Sequence, residues 1–179
     1  MQENEIIIRQ ENTSDFKAVF DLIEKAFKSE KMSDSKEQFL VERLRKSSSF
    51  IPELSMIAEF ENEIIGHILL TKLKIKNNET EFESLALAPV SVLPKYQGKG
   101  VGGMLIKKAH KKAKEIGFKS IILLGHENYY PKFGYIQADK FGIELPFDVP
   151  KKNCMAIELT VNGLSGVKGM VEYPSEFSE

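Results

Sequence analysis

Gly98, Gly100, Gly102 and Gly103 fall within six positions of "PKYQGKGVGGMLIKKAHKKA", residues 94–113, at the head of a stretch with helical apolar spacing. Such a turn at a helix N-terminus leaves backbone N–H groups without intrahelical partners. Those donors and the helix dipole together favour an anion, most often a phosphate. Glycine lets the anion reach the chain with no Cβ in the way. Other residues able to do chemistry are thinly spread: Tyr129 and Tyr130 in "ENYYPKFGY", three histidines (His67, His110, His126), the carboxylates Glu83 and Glu127, and one cysteine, Cys154.

Three phosphate-binding motifs compete for the glycines. A P-loop ends in Lys followed by Ser or Thr, and this loop does not. A dinucleotide fingerprint fits Gly98, Gly100 and Gly103, but "PKYQ" separates it from the preceding strand, and the acidic residue expected about 20 positions on falls near residues 118–120, before the next strand begins. A dinucleotide oxidoreductase is therefore the remote alternative. The third pattern, Q/R-x-x-G-x-G/A, is filled by Gln97, Gly100 and Gly102.

The elements that must position these residues follow from the hydrophobic periods. "EIIIRQ" reads as a first strand, and Phe16, Phe20, Ile23 and Phe27 mark a helix capped by Thr13 or Ser14. A second helix is expected in "KEQFLVERLRK", after the polar and mobile connection "SEKMSDS" at 29–35. "LSMIAEF", "IIGHILLTKLKI" and "EFESLALAPVSVLP" predict an antiparallel meander with tight turns at "ENE" and "NNET". A helix over 101–116 places Gly102, Leu105, Ile106, Ala109, Ala113 and Ile116 on one face, with Lys107, Lys111 and Lys114 on a solvated one; His110 is expected at the surface. "KSIILLG" predicts a buried parallel strand, "NYYPKFGY" a short helical turn and "CMAIELTV" a last strand before an irregular tail. The sum is a mixed α/β single domain over 1–179.

Composition narrows the class. The chain has 179 residues, 42% hydrophobic and 28% charged, with a formal net charge of -1, which suits one domain and argues against a nucleic-acid partner. One cysteine excludes an internal disulfide and any multi-cysteine metal site, and Cys154 is expected as a half-buried apolar residue; no metal is called for. The N-terminus has neither a basic leader nor a long apolar run, and no segment approaches the ~20 apolar residues of a membrane span, so a cytoplasmic protein with no membrane partner is expected. Exposed strand edges leave monomer and homodimer both open.

The glycine turn preceded by "VSVLP" and followed by an amphipathic helix, together with "YYPKFGY", a tyrosine four residues before a Gly-aromatic pair, resembles the GNAT superfamily of acetyl-CoA-dependent acyltransferases. Element order agrees over about 5–161. "LAPVSVLPKYQGKGVG", "GHENYYPKFGY" and the tail "MAIELTVNGLSGVKGMVEYPSEF", with 162–179 as a family-type tail, look like the YhbS-like branch; Glu127 stands where that branch mostly carries proline.

The resemblance implies a GNAT fold, a central mixed sheet with helices on both faces, and direct acetyl transfer from acetyl-CoA to a primary amine, whether a small molecule or a peptide or protein amine. A non-catalytic acyl-CoA-binding module is the alternative. Main-chain groups around Val90 and Val92 would hold the pantetheine, in a strand that Pro89 interrupts. The N–H groups from Gln97 through Gly98, Lys99, Gly100, Val101 and Gly102 to Gly103 would hold the pyrophosphate, with the Lys99 ammonium near the 3′-phosphate or in solvent. Tyr130 holds the family's general-acid position, with Tyr129 adjacent, because a phenol is protonated at neutral pH. Glu83 and His126 are candidate bases. His67, midway along an apolar strand, reads as packing. Neither the acceptor nor the length of the acyl group follows from the resemblance.

Overall fold

The computed structural model describes residues 5–28, 30 and 33–178. Part of the connection at 29–35 expected to be mobile therefore lies outside the described residues. The strands are β1 (Ile7–Gln10), β2 (Phe50–Phe60), β3 (Glu63–Lys76), β4 (Glu81–Val92), β5 (Ser120–Leu124), β6 (Ile136–Gln137), β7 (Ile143–Glu144), β8 (Cys154–Glu158) and β9 (Gly169–Glu172); the helices are α1 (Phe16–Phe27), α2 (Glu37–Leu44) and α3 (Val101–Glu115). The sheet runs β1-β2-β3-β4-β5-β8-β6, antiparallel except between β4 and β5.

The meander forms where the period-two pattern predicts it. β2 turns into β3 at Glu61 and Asn62, whose φ values of 50° and 63° suit the right-handed twist of a two-residue hairpin. α3 buries Val101, Leu105, Ile106, Ala109 and Ala113 against one sheet face, while Ile116, placed on that face by the sequence, is 38% exposed where the helix ends. A Cβ on Gly66 of β3 would lie 2.9 Å from Leu105 Cδ1 and 3.0 Å from Val101 Cγ1, so the missing side chain lets the first turns of α3 seat on the strand. α1 and α2 cover the other face, with Val19, Leu22, Ile23, Val41 and Leu44 on Ile57 and Leu69.

Three local expectations are corrected. The N-cap of α1 is Asp15, not Thr13 or Ser14, because Thr13–Asp15 form a single 3-10 turn. The Asp15 carboxylate accepts from the Asn12 N–H at 2.8 Å and clasps Arg9 at 2.7 and 2.9 Å. The tail is not irregular throughout: β9 pairs antiparallel with β3 and parallel with β7, and Val171 and Leu164 are buried. Gly169 makes that pairing fit, since its φ is 135° and a Cβ there would lie 2.2 Å from the Lys76 carbonyl oxygen.

His110 is the third. It is half-buried, 2.9 Å from the Tyr135 hydroxyl, because its position on α3 turns it toward the Tyr130–Phe133 turn rather than to solvent. Burial holds its pKa down at about 4. Its folded pKa lies below the unfolded value of about 6.5, so the unfolded chain binds the extra proton first and stability falls as pH drops from about 6.5 to about 4. The slope from this group is at most about 1.4 kcal/mol per pH unit. Urea denaturation at pH 7 and pH 5 should show a smaller loss in His110→Gln than in wild type; equal losses would assign the slope elsewhere.

Candidate functional site

β4 pairs with β5 only at Leu85↔Ile121 and Ala86↔Ile122, and then the two strands part. The cause is local. Between the pairs Leu70↔Leu87 and Ile68↔Val90, β4 carries Ala88 and Pro89 opposite the single residue Leu69, a bulge at a proline that has no N–H to give a ladder. Past the bulge, the Leu93 N–H donates to the Ile65 carbonyl at 3.0 Å. Main-chain groups alternate sides along an antiparallel strand. Those of Val90 and Val92 therefore point away from β3, to the side that β5 has left. The Val92 carbonyl there accepts from Gln97 Nε2 at 3.1 Å.

A 3-10 turn, Pro94–Tyr96, joins β4 to the glycines. It is pinned by Glu63, which accepts from Lys95 Nζ at 2.8 Å and from the Tyr96 hydroxyl at 3.0 Å. The Lys95 ammonium, foremost, holds the Glu63 carboxyl below its ordinary range. The Gln97 N–H already donates to the Pro94 carbonyl at 3.2 Å, so it drops out of the expected anion donors, and Gln97 acts through its side chain instead. Gly98 and Gly100 take the left-handed conformation, with φ of 73° and 87°, and both are exposed. Met104 is the first N–H of α3 to reach back, to the Gly100 carbonyl at 3.0 Å, which leaves the donors of Gly100 to Gly103 at the helix mouth. Lys99 is exposed, its ammonium 5.4 Å from the Tyr96 ring centre.

The other two glycines do a different job. A Cβ on Gly102 would stand 2.9 Å from the Tyr129 hydroxyl, and one on Gly103 would stand 3.3 Å from the Phe133 ring. They are small so that an aromatic wall can close over the first turn of α3. Tyr130 belongs to that wall. Its ring lies on the bare backbone of Gly125, where a Cβ would be 2.3 Å away, and its centre is 5.1 Å from that of Tyr129 and 5.7 Å from that of Tyr135. Burial, and then the neighbouring Tyr129, pushes the Tyr130 hydroxyl well above the usual phenol range; burial raises Tyr129 as well. Both are protonated donors at neutral pH.

His126 lies two residues past the end of β5, exposed, with Nε2 4.0 Å from Glu30 Oε2. Glu83 lies elsewhere. It is exposed and opposite Lys74, six residues and so about 20 Å along the strand before the bulge at Pro89. The fold thus brings Val90, Val92, the glycine turn, Tyr129, Tyr130 and His126 to one end of the sheet and leaves Glu83 at the other. His67 is fully buried, but among polar groups: its Nε2 is 3.2 Å from Ser55 Oγ, which donates to Glu11. Glu11, Arg45, Ser55 and Ser91 carry no motif, and only their meeting under α1 and α2 marks them. An opened strand edge, an anion cradle and two protonated phenols side by side can hold an extended phosphate-bearing ligand and give a proton to a leaving group.

The family model of the acetyltransferase (GNAT) domain matches residues 7–138. The uncharacterized N-acetyltransferase YjhQ of Escherichia coli strain K12 is 37% identical over 121 residues, 66% of each chain. The uncharacterized N-acetyltransferase YhbS of the same strain is 24% identical over 173 residues, 97% of this chain and 99% of its own. A GNAT family acetyltransferase from Brucella melitensis, solved in complex with acetyl-CoA, superposes with a TM-score of 0.79 at 28% identity over 96% of this chain and 97% of its own. The Escherichia coli YhbS structure, solved with CoA, has the same fold, with a TM-score of 0.88 at 23% identity over 98% of this chain and 93% of its own.

Proposed function

Because the chain belongs to the GNAT acetyltransferase family, we propose that residues 1–179 act as one domain that binds acetyl-CoA at the β4–β5 opening and transfers its acetyl group directly to a primary amine. The observation that carries this reading is the coincidence of the diverging strand and the glycine mouth of α3. Val90 and Val92 offer main-chain groups to an extended amide arm, and the N–H groups of Gly98 to Gly103 lie where that arm would end in a pyrophosphate. The Brucella relative was solved with acetyl-CoA, which supports the same ligand here.

Within that reading, a β4 N–H facing the opening polarises the thioester carbonyl as the amine adds, and the tetrahedral centre collapses with release of CoA thiolate. Tyr130, or Tyr129 beside it, gives the thiolate its proton. His126 stands at the mouth of the opening as the remaining candidate base of the two expected. Cys154, half-buried and with its thiol pKa raised first by burial, is not needed as a nucleophile.

The test is thiol release from acetyl-CoA across a panel of small amines, amino-acid derivatives and peptides, read against the uncatalysed rate. Turnover with any of them supports the reading. Acetyl-CoA binding with background rates throughout would favour a binding module.

A further inference from the structure

Three ammonium groups stand near the mouth of α3, and each lies over an aromatic ring. Lys95 and Lys99 share Tyr96, at 5.0 and 5.4 Å from the ring centre, and Lys132 lies 4.0 Å from the centre of Tyr129. They are not equivalent. Lys95 is paired with Glu63 at 2.8 Å, so its charge is engaged in holding the Pro94–Tyr96 turn. Lys99 rests on the same Tyr96, whose hydroxyl donates to Glu63 and whose ring centre is 6.1 Å from that of Phe60 on β2. That ring belongs to the side of the glycine loop that meets the β2–β3 hairpin, away from β5.

Lys132 is held differently. Its ammonium lies over Tyr129 and, at 5.1 Å, over Phe133, two rings set edge to face with centres 5.4 Å apart. These are the rings for which Gly102 and Gly103 make room, so the glycines, the rings and the ammonium form one layered unit on the first turn of α3. Ring faces attract a cation without neutralising it. Among the described residues no carboxylate lies within ion-pair distance of Lys132, and its side chain is exposed. A full positive charge is thus presented on the β5 side of the mouth, beside the N–H groups of Gly100 to Gly103.

We propose that Lys132 binds the 3′-phosphate of CoA and makes the protein distinguish CoA from its 3′-dephospho form. The proposal rests on the acetyltransferase reading above, and it assigns the Lys99 ammonium to solvent. A ligand arm lying along Val90 and Val92 leaves the opening between the end of β4 and the Tyr129–Phe133 turn that follows β5. Its pyrophosphate meets the helix mouth, where backbone N–H donors and the dipole receive it. The 3′-phosphate is a monoester and concentrates about two negative charges on one group at neutral pH. With the helix mouth occupied, that group pairs best with a full cation, and Lys132 offers one on the side where the arm emerges. A lysine already resting on two rings has given up part of its rotamer freedom, which lowers the entropic cost of the contact.

Titration calorimetry with CoA and with 3′-dephospho-CoA tests this without turnover. Wild type should bind CoA at least about 10-fold more tightly, and the difference should shrink as salt rises. In Lys132→Gln that preference should fall to within about threefold, with affinity for 3′-dephospho-CoA changed less than about twofold. Lys132→Arg, which keeps the charge and stacks on rings, should retain the preference, and so should Lys99→Gln. An exposed position predicts a thermal melt of Lys132→Gln that matches wild type, so misfolding does not compete as the cause. A preference that survives in Lys132→Gln, or is lost in Lys132→Arg or Lys99→Gln, overturns the assignment and leaves the acetyl-CoA site in place. So does a wild type that binds both ligands equally. Failure of wild type to bind either one removes the acetyltransferase reading together with the proposal.

Discussion

Gly100→Asp is expected to weaken acetyl-CoA binding by at least about 100-fold, close to 3 kcal/mol, while leaving the fold almost untouched. Gly100 is the N-cap of α3, exposed, with φ of 87°. A side chain in that conformation costs roughly 1–2 kcal/mol, least for Asn and Asp. Against this, a carboxylate at a helix N-terminus stabilises by about 0.3–1 kcal/mol through the dipole. The two nearly cancel, so the melting temperature should move by only a few degrees. Binding moves because the new carboxylate occupies the helix mouth and repels the pyrophosphate meant for it. Isothermal titration with acetyl-CoA beside a thermal melt separates the two effects. Unchanged affinity in a folded variant would mean that the ligand's phosphates lie elsewhere.

Tyr130→Phe should lower kcat by about 100-fold or more, the usual worth of a positioned general acid, with little change in affinity for acetyl-CoA. The phenyl ring keeps the packing on Gly125 and against Tyr129 and Tyr135. The hydroxyl it loses makes no hydrogen bond among the described residues, so stability should hold or rise slightly. Tyr129→Phe is the necessary companion, because the Tyr129 hydroxyl lies over Gly102 at the mouth of α3. If Tyr130 is the acid, Tyr129→Phe should raise KM for acetyl-CoA more than it lowers kcat. A reversed pattern reassigns the proton donor to Tyr129, and full activity in both single variants and the double removes the phenols from the chemistry.

Much of the fold was legible because it repeats. The meander shows in period-two runs, α3 in apolar positions three and four apart, and the start of that helix in the glycine turn preceding it. Pro89 marked the interruption of β4 from its own covalent chemistry, since a residue without an N–H disturbs any ladder it enters. The short strands β6, β7 and β9 carry too few residues for a period to register. They exist because neighbouring strand edges offer partners, as Lys76 does for Gly169.

The site was legible where backbone does the work and obscure where side chains meet from afar. Gln97, Gly100 and Gly102 are a local pattern, so spacing alone marks them as candidates. The pattern did not separate Gly98 and Gly100, which open the loop, from Gly102 and Gly103, which make room for Tyr129 and Phe133 from a later turn. His67 looked like packing because its sequence neighbours are apolar. Glu83 looked like a base because it opens the right strand, yet that strand is long enough to set it about 20 Å before the bulge at Pro89.

What the sequence determined by itself, then, is the order of elements, the bulged strand and the helix mouth, all set by interactions within a few residues of one another. The tertiary structure alone decided which side chains share a space. Register set Glu11 beside Ser55 and His67 beside Ser91, Ser55 reaches His67 on the diagonal from opposite Leu69, and β5 leaves β4 before Val90 and Val92. Such meetings depend on pairings between residues far apart in the chain, and no local spacing records them.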